Sequence, residues 1–448
     1  MRVAIVGGGI SGLALAERLA EFGAEPLVLE RAPRVGGRIA TLEKDGFLLE
    51  TGPNGFLDSA PKTIELAERI GLGPRLRRAG PESKRRWIYV RGALRQVPSG
   101  PRDFFSSDVL PLSAKLRMAF EPFSRRAREP DESIASFGRR HLGARATRDL
   151  LGAMVVGIHA GDVGKLSLPA CFPRMAAIER EHRSLVLAMM KRGRGGAPPG
   201  TLTNLEGGMA ALVRGLASRL GDAVRTGVRV DSIRREEGGL SLSVTDAQGR
   251  HEIRADAVVV TTPAGEAARL VEPFEPEVAR LAREISYAPM AVVHLAWPRE
   301  KVAHPLDGFG FLIPPHEGRG ILGALFVSTI FPWKAPPGTA LFTVMVGGAV
   351  APEKARLPDD SLVDLAVSEL SDIVGAAGTP LLAEIVRWDQ AIPQYVVGHL
   401  ARVGEIDGRM ERVEGVYLGG DAWKGIGVNE CIAAAEPLAR RILLRSSR

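Results

Sequence analysis

Three glycines and one acid near the N-terminus carry the first recognisable chemistry. Gly7, Gly9 and Gly12 fall in a G-x-G-x-x-G pattern, and Glu30 follows 18 residues after Gly12. This spacing suits a dinucleotide. Gly7 permits a tight turn, Gly9 lets a pyrophosphate approach the backbone, and Gly12 lets a helix lie close to a sheet. The helix N-terminus offers free N–H groups and a partial positive charge to phosphates. Glu30 can accept both ribose hydroxyls, and its charge disfavours a 2′-phosphate, hence NADP.

The elements that would position these residues are legible around them. Residues 2–6 form an apolar run that reads as a buried strand, 13–22 keep apolar positions at helical spacing (Leu13, Ala16, Leu19, Ala20), and PLVLE returns as a second parallel strand. RAPRVGGRIAT at 31–41 then places Gly36 and Gly37 between Arg34 and Arg38, and arginines there could grip a pyrophosphate opposite the helix. GFLLETGPNGF at 46–56 reads as a strand and a turn with Gly52, Pro53 and Asn54 at its tip. Almost 400 residues later, GVYLGGDAWKGIGVNECIAAAEPLARRI reads as a strand (416–419), a glycine turn bearing Asp421, and a helix from about Val428. It is a second helix-opening turn, whose helix N-terminus is a second ready-made anion and carbonyl-oxygen site. One further G-x-G-x-x-G, Gly318–Gly323, lies between apolar strand-like runs rather than opening a helix, so a separate nicotinamide site is not expected.

The 448 residues, 45% hydrophobic and 25% charged, fit a globular protein of two or three units. No apolar run approaches the roughly 20 residues of a bilayer span, and the N-terminus enters a nucleotide motif rather than a signal peptide, so cytosolic residence is expected. Cys171 and Cys431 are the only cysteines. They imply neither a disulfide framework nor a metal site. The net charge of +7 is uneven: residues 75–148 hold 18 Lys and Arg against 7 Asp and Glu, a local +11. Without a zinc-finger or RRM signature, nucleic acid is the least suited partner. The interrupted helical pattern at 103–190 suits either a solvated basic face or a lobe resting on anionic lipid. KRGRGGAPPGT at 191–201 reads as the clearest loop.

Several motifs together resemble one family. The R-x-G-G-R-x-x-T continuation at 34–41 is similar to that of the FAD-binding amine oxidase superfamily. Within it, ETGPNGF, GIHAGDVGKLSLPACFP, GFGFLIP, ILGALF, TVMVGG, AIPQYVVGHL and GIGVN resemble the oxygen-dependent protoporphyrinogen oxidases and their coproporphyrinogen-oxidising relatives. AGDVGKLS at 160–167 and AIPQYVVGH at 391–399 are the most family-specific of these. Asp421 departs from the family, whose close members tend to have Asn there.

The resemblance implies FAD as cofactor, held by Gly7, Gly9, Ser11, Gly12, Glu30, Arg31, Gly36, Gly37, Arg38, Gly52, Asn54, Val230, Trp388, Asp421, Val428 and Asn429. It implies removal of six electrons from a porphyrinogen in three rounds of hydride transfer to flavin N5, with O2 as acceptor and H2O2 as by-product. Protoporphyrinogen IX is the first substrate reading and coproporphyrinogen III the alternative. An amine oxidase, a carotenoid desaturase and a non-catalytic porphyrin carrier are more distant ones. Arg86 would hold a propionate, and the backbone of Gly157 would orient the macrocycle. Leu312, Leu325 and Met345 would sandwich its rings, although plain strand core is the other reading of these three. No acid or base is assigned, and His159 reads as structural. The implied fold is α/β (α+β overall). A discontinuous Rossmann-type FAD domain (1–74, 204–263 and 385–448) would accompany a mixed-sheet substrate domain (75–92 and 264–384). A helical, membrane-facing lobe (93–203) would be inserted. Implied too are peripheral attachment to the inner face of the cell membrane, a homodimer, and transient contact with the next enzyme of haem synthesis.

Overall fold

The computed structural model describes residues 1–98, 100–125, 127, 129–182, 184–185 and 200–446. Most of the loop expected at 191–201 lies outside them. β1 (Arg2–Val6) and β2 (Glu25–Glu30) run parallel with Ile5 opposite Val28, and α1 (Ile10–Glu21) makes the crossover that a parallel pair requires. Three strands from distant parts of the chain complete a five-stranded parallel sheet. Ala257–Val260 lies against β1, Val416–Leu418 beyond it, and Val224–Thr226 outside β2. The sheet is buried on both faces, which explains its continuous apolar runs. Ala4, Val6, Leu27 and Leu29 face one core, and Val3, Ile5 and Val28 face the other. Because the strands are parallel, their carboxyl ends share one edge, and the residues that follow them meet there.

A second sheet has seven strands in the order Leu382–Pro393, Tyr287–Pro298, Thr339–Gly347, Gly323–Phe326, Gly310–Leu312, Trp87–Val90, Ala93–Gln96. It is mixed, since Trp87–Val90 runs parallel to Gly310–Leu312 while the other pairs are antiparallel. Two expected domain boundaries fall inside this sheet. The boundary at 92/93 divides the hairpin of Trp87–Val90 and Ala93–Gln96, and that at 384/385 cuts the strand Leu382–Pro393. Hydrogen-bonded ladders hold each together, so both belong whole to the seven-stranded sheet. Likewise Ala264–Val271 and Pro276–Arg283, expected with the substrate domain, pack in one core with the parallel sheet. Short helices between 101 and 182 cover the far end, and Gly152–His159 lies over Gly310–Leu312. Among the described residues no helix is long and apolar enough to cross a membrane.

Candidate functional site

One continuous cavity of about 1940 Å³ runs from the carboxyl edge of the parallel sheet to the seven-stranded sheet. Single-ligand sites span roughly 300–1,000 Å³, so there is room here for two ligands end to end.

At the sheet edge the glycine turn has the required shape. Gly7 has φ 113°, outside the range of ordinary L-residues. A Cβ on Gly12 would sit 2.1 Å from Gly7 O, so only glycine lets α1 approach the turn this closely. Gly9 caps α1 without a side-chain hydrogen bond, and nothing lies within 4 Å of where its Cβ would be. The helix N-terminus is therefore open to a ligand. Gly36 N–H donates to Gly8 O at 2.8 Å, which lays the second glycine turn against the first. Glu30 closes β2 with its carboxylate accepting from Gly8 N–H (2.7 Å) and Ala32 N–H (2.8 Å). These bonds fix it at the rim with lone pairs to spare for hydroxyls.

The C-terminal turn meets this cradle through an ion pair absent from the sequence reading. Arg38 Nη1 lies 2.7 Å from Asp421 Oδ2, while Arg38 Nε donates to Gln390 O at 2.9 Å. Trp388 Nε1 donates to Thr51 O at 2.6 Å and so ties the seven-stranded sheet to the Gly52–Asn54 turn. Nearly all the expected cofactor residues line the cavity: Gly7, Gly9, Ser11, Glu30, Arg31, Gly36, Gly37, Arg38, Gly52, Asn54, Val230, Trp388, Asp421 and Val428. Two do not. Gly12 lies behind the turn and acts through packing. The Asn429 side chain turns away from the cavity, accepting from Thr63 N–H (3.2 Å) and Oγ1 (2.5 Å) and donating to Leu57 O (3.1 Å). It fastens the Val428–Ala433 helix to Lys62–Arg69. Cys431, one turn further, does line the cavity, and burial pushes its thiol up to about 12.

The other end of the cavity is apolar. Leu312, Leu325 and Met345 reach it from three adjacent strands, opposite Val156 and Gly157 of the Gly152–His159 helix. A Cβ on Gly157 would meet Leu312 Cδ1 at 2.7 Å, so glycine allows helix and strand to close on each other. Arg86 is the cation at this end. Its guanidinium lies over the Phe309 ring, 4.6 Å from the centroid, and burial lowers its pKa from 12.5. Among the described residues no carboxylate pairs with it. Four other arginines on the wall are paired, namely Arg38 with Asp421, Arg229 with Asp231, Arg269 with Glu266 and Arg387 with Asp359. No histidine or lysine is among the described lining residues. His159 is buried outside the cavity, edge-on to Phe172 at 5.4 Å, and desolvation lowers its pKa to about 4.

A family model of flavin containing amine oxidoreductases matches residues 10–443. The chloroplastic protoporphyrinogen oxidase of Nicotiana tabacum is 30% identical over 98% of this chain and 84% of its own. The chain belongs to the flavin-containing amine oxidoreductases, in their porphyrinogen oxidase branch. The same branch supplies the coproporphyrinogen III oxidase of Bacillus subtilis (strain 168), 29% identical over 96% of this chain and 95% of its own. A solved structure of a candidate protoporphyrinogen oxidase from Exiguobacterium sp. 255-15 superposes with TM-score 0.86 at 26% identity, covering 99% of this chain and 98% of that one. Putrescine oxidase, at TM-score 0.72 and 18% identity over 99% of this chain and 100% of its own, shares the fold alone. As a flavin-containing amine oxidoreductase this chain is an FAD-dependent oxidase. The open glycine cradle, the Glu30 rim and the long cavity fit that cofactor.

Proposed function

We propose that this enzyme oxidises protoporphyrinogen IX to protoporphyrin IX, removing six electrons in three rounds and passing them to O2 with release of H2O2. FAD, when bound, supplies the two-electron acceptor of each round. The parallel sheet serves as its Rossmann-type domain, with the glycine turn and α1 at the pyrophosphate, Glu30 at the ribose, Val230 at the adenine and the Asp421 turn at the ribityl chain. The chain's own residues bind, orient and exclude water. Leu312, Leu325 and Met345 hold the macrocycle against the Gly157 wall. A porphyrinogen's pyrrole nitrogens assist loss of hydride from a methylene bridge, which suits a wall without acid or base; positioning is then the main demand.

One observation favours this substrate. The apolar end of the cavity presents a single unpaired guanidinium, Arg86, among hydrophobic side chains. That arrangement suits two propionates at one edge of a ring system that is otherwise apolar. Four propionates around the ring would leave carboxylates facing leucine and methionine. Coproporphyrinogen III is the second reading, supported by the Bacillus subtilis relative. Anaerobic mixing with each porphyrinogen tests the proposal. Protoporphyrinogen IX should bleach the flavin absorbance faster than coproporphyrinogen III, and a spectrum unchanged by both would sink it.

The helical lobe is proposed to rest on the anionic inner surface of the cell membrane. Phe105, Leu112, Leu116, Phe120 and Phe123 are all exposed along 101–123, with exposed Arg117 and Arg125 beside them. Exposed large apolar side chains beside cations are what a lipid interface selects.

A further inference from the structure

The two most family-specific motifs, 160–167 and 391–399, have no direct place in the chemistry above, yet they bind each other. Ser167 N–H donates to Tyr395 O at 2.8 Å, and Val397 N–H donates to Lys165 O at 2.9 Å. Leu166 bridges Val396. Asp131 pins both, accepting from Ser167 Oγ at 2.5 Å and from Gly398 N–H at 2.7 Å.

From this junction, side chains of 391–399 reach in two directions. Toward the cofactor turn, the Tyr395 hydroxyl donates to Asp421 O at 2.5 Å, and His399 Nε2 donates to Trp423 O at 3.0 Å. The two rings are buried and stacked, 4.0 Å apart and 14° from parallel. Together they hold two carbonyls of the turn that carries Asp421, whose carboxylate is thereby aimed at Arg38. Toward the macrocycle wall, buried Gln394 donates from Nε2 to His159 O at 2.9 Å. His159 is the last residue of the Gly152–His159 helix that presents Gly157 to the cavity.

We propose that 391–399 is a clasp that fixes the cofactor turn and the substrate wall in one register, with Tyr395, His399 and Gln394 as its positioning residues. None of the three touches the reacting atoms. Tyr395 and His399 govern how FAD is held, and Gln394 governs how the macrocycle is held. The Gln394 half rests on the porphyrinogen reading above, and the Tyr395–His399 half does not.

The test uses purified holoenzyme and its apo form, with three readouts: FAD Kd by fluorescence titration, KM and kcat for protoporphyrinogen IX at saturating FAD, and Tm. Tyr395→Phe, which deletes one hydroxyl, should raise the FAD Kd about tenfold and leave KM within twofold. Gln394→Met should raise KM about tenfold and leave the FAD Kd within twofold. Should Tyr395→Phe not accumulate as folded protein, His399→Leu should raise the FAD Kd while His399→Gln, which keeps a donor, restores it. Lower Tm with unchanged Kd and KM would reduce the segment to plain core and overturn the proposal. So would Kd and KM moving together in both variants. If wild-type enzyme oxidises no porphyrinogen, the substrate reading has failed, and the FAD titrations still decide the Tyr395–His399 half.

Discussion

The Arg38–Asp421 ion pair joins the two turns that are proposed to hold the cofactor. Their side chains are 26% and 20% exposed, so the pair is partly desolvated and stronger than a surface bridge. Asp421→Ala leaves Arg38 unaimed, and FAD Kd should rise about tenfold, on the order of 1.4 kcal/mol. Asp421→Asn, which restores the family's usual residue, keeps an acceptor for Arg38 and for a hydroxyl, so titration should find Kd within about threefold of wild type. A larger loss for Asn than for Ala would refute this account. Arg86→Ala should raise KM for protoporphyrinogen IX on the order of tenfold, because a carboxylate loses its charge-assisted partner; an unchanged KM would remove Arg86 from the site. His159 and His294 report on pH. Burial lowers both from 6.5 to about 4, so between those values the unfolded chain binds more protons than the folded one. The stability they contribute is complete above about pH 6.5 and lost as pH falls toward 4, on the order of 3 kcal/mol per histidine. Tm should therefore decline across that window, and the decline should be shallower in His159→Leu. A profile of the same slope in that variant would count against it.

Between elements, one tie is fully buried. Lys334 Nζ lies 2.5 Å from Glu50 Oε1, joining Pro332–Lys334 to the end of Phe47–Glu50. Glu50 also accepts from Met209 N–H (2.9 Å), Asn204 Nδ2 (3.0 Å) and Thr41 Oγ1 (2.8 Å), and Asn204 Nδ2 donates as well to Asn54 O at 2.8 Å. The network thus reaches the Gly52–Asn54 turn on the cavity wall. Lys334→Ala would strand a carboxylate without its counter-ion, and denaturant midpoints should register a loss of about 3–5 kcal/mol. Combining Lys334→Met with Glu50→Gln should recover most of it, and a double variant as unstable as the single would exclude charge burial as the cause. None of this was legible in the sequence, because Lys334 and Glu50, like Arg38 and Asp421, lie hundreds of residues apart and a lone charge names no partner. What was legible was local. The buried strands announce themselves as apolar runs, and the glycine turn shows through its spacing. Asn429 escaped because one step along a helix turns a side chain by about 100°, so it points elsewhere than its neighbour Val428.

At the scale of the whole molecule, the proposed lipid-facing lobe is the largest feature that the cavity chemistry does not require. Its residues Val109, Leu110 and Ala114 pack inward against Ile88 and Val90 of the seven-stranded sheet. The same segments leave Phe120 at 63% and Phe123 at 80% exposure. An apolar face that folding leaves outside must be covered by something or cost solubility. Inserting a few such side chains into a headgroup layer contributes a few kcal/mol at roughly 25 cal/mol per Å², and each Lys or Arg near an anionic surface adds about 1 kcal/mol. Both contributions together give tighter reversible binding than either alone. The full chain should therefore sediment with vesicles rich in anionic lipid and far less with zwitterionic ones. High salt should weaken binding without abolishing it, because the apolar part is unscreened. Phe120→Ser with Phe123→Ser should lower the vesicle partition at least tenfold while FAD content and Tm stay near wild type. Equal partition of that variant, or equal affinity for the two vesicle types, would mean that this face meets something other than an anionic membrane.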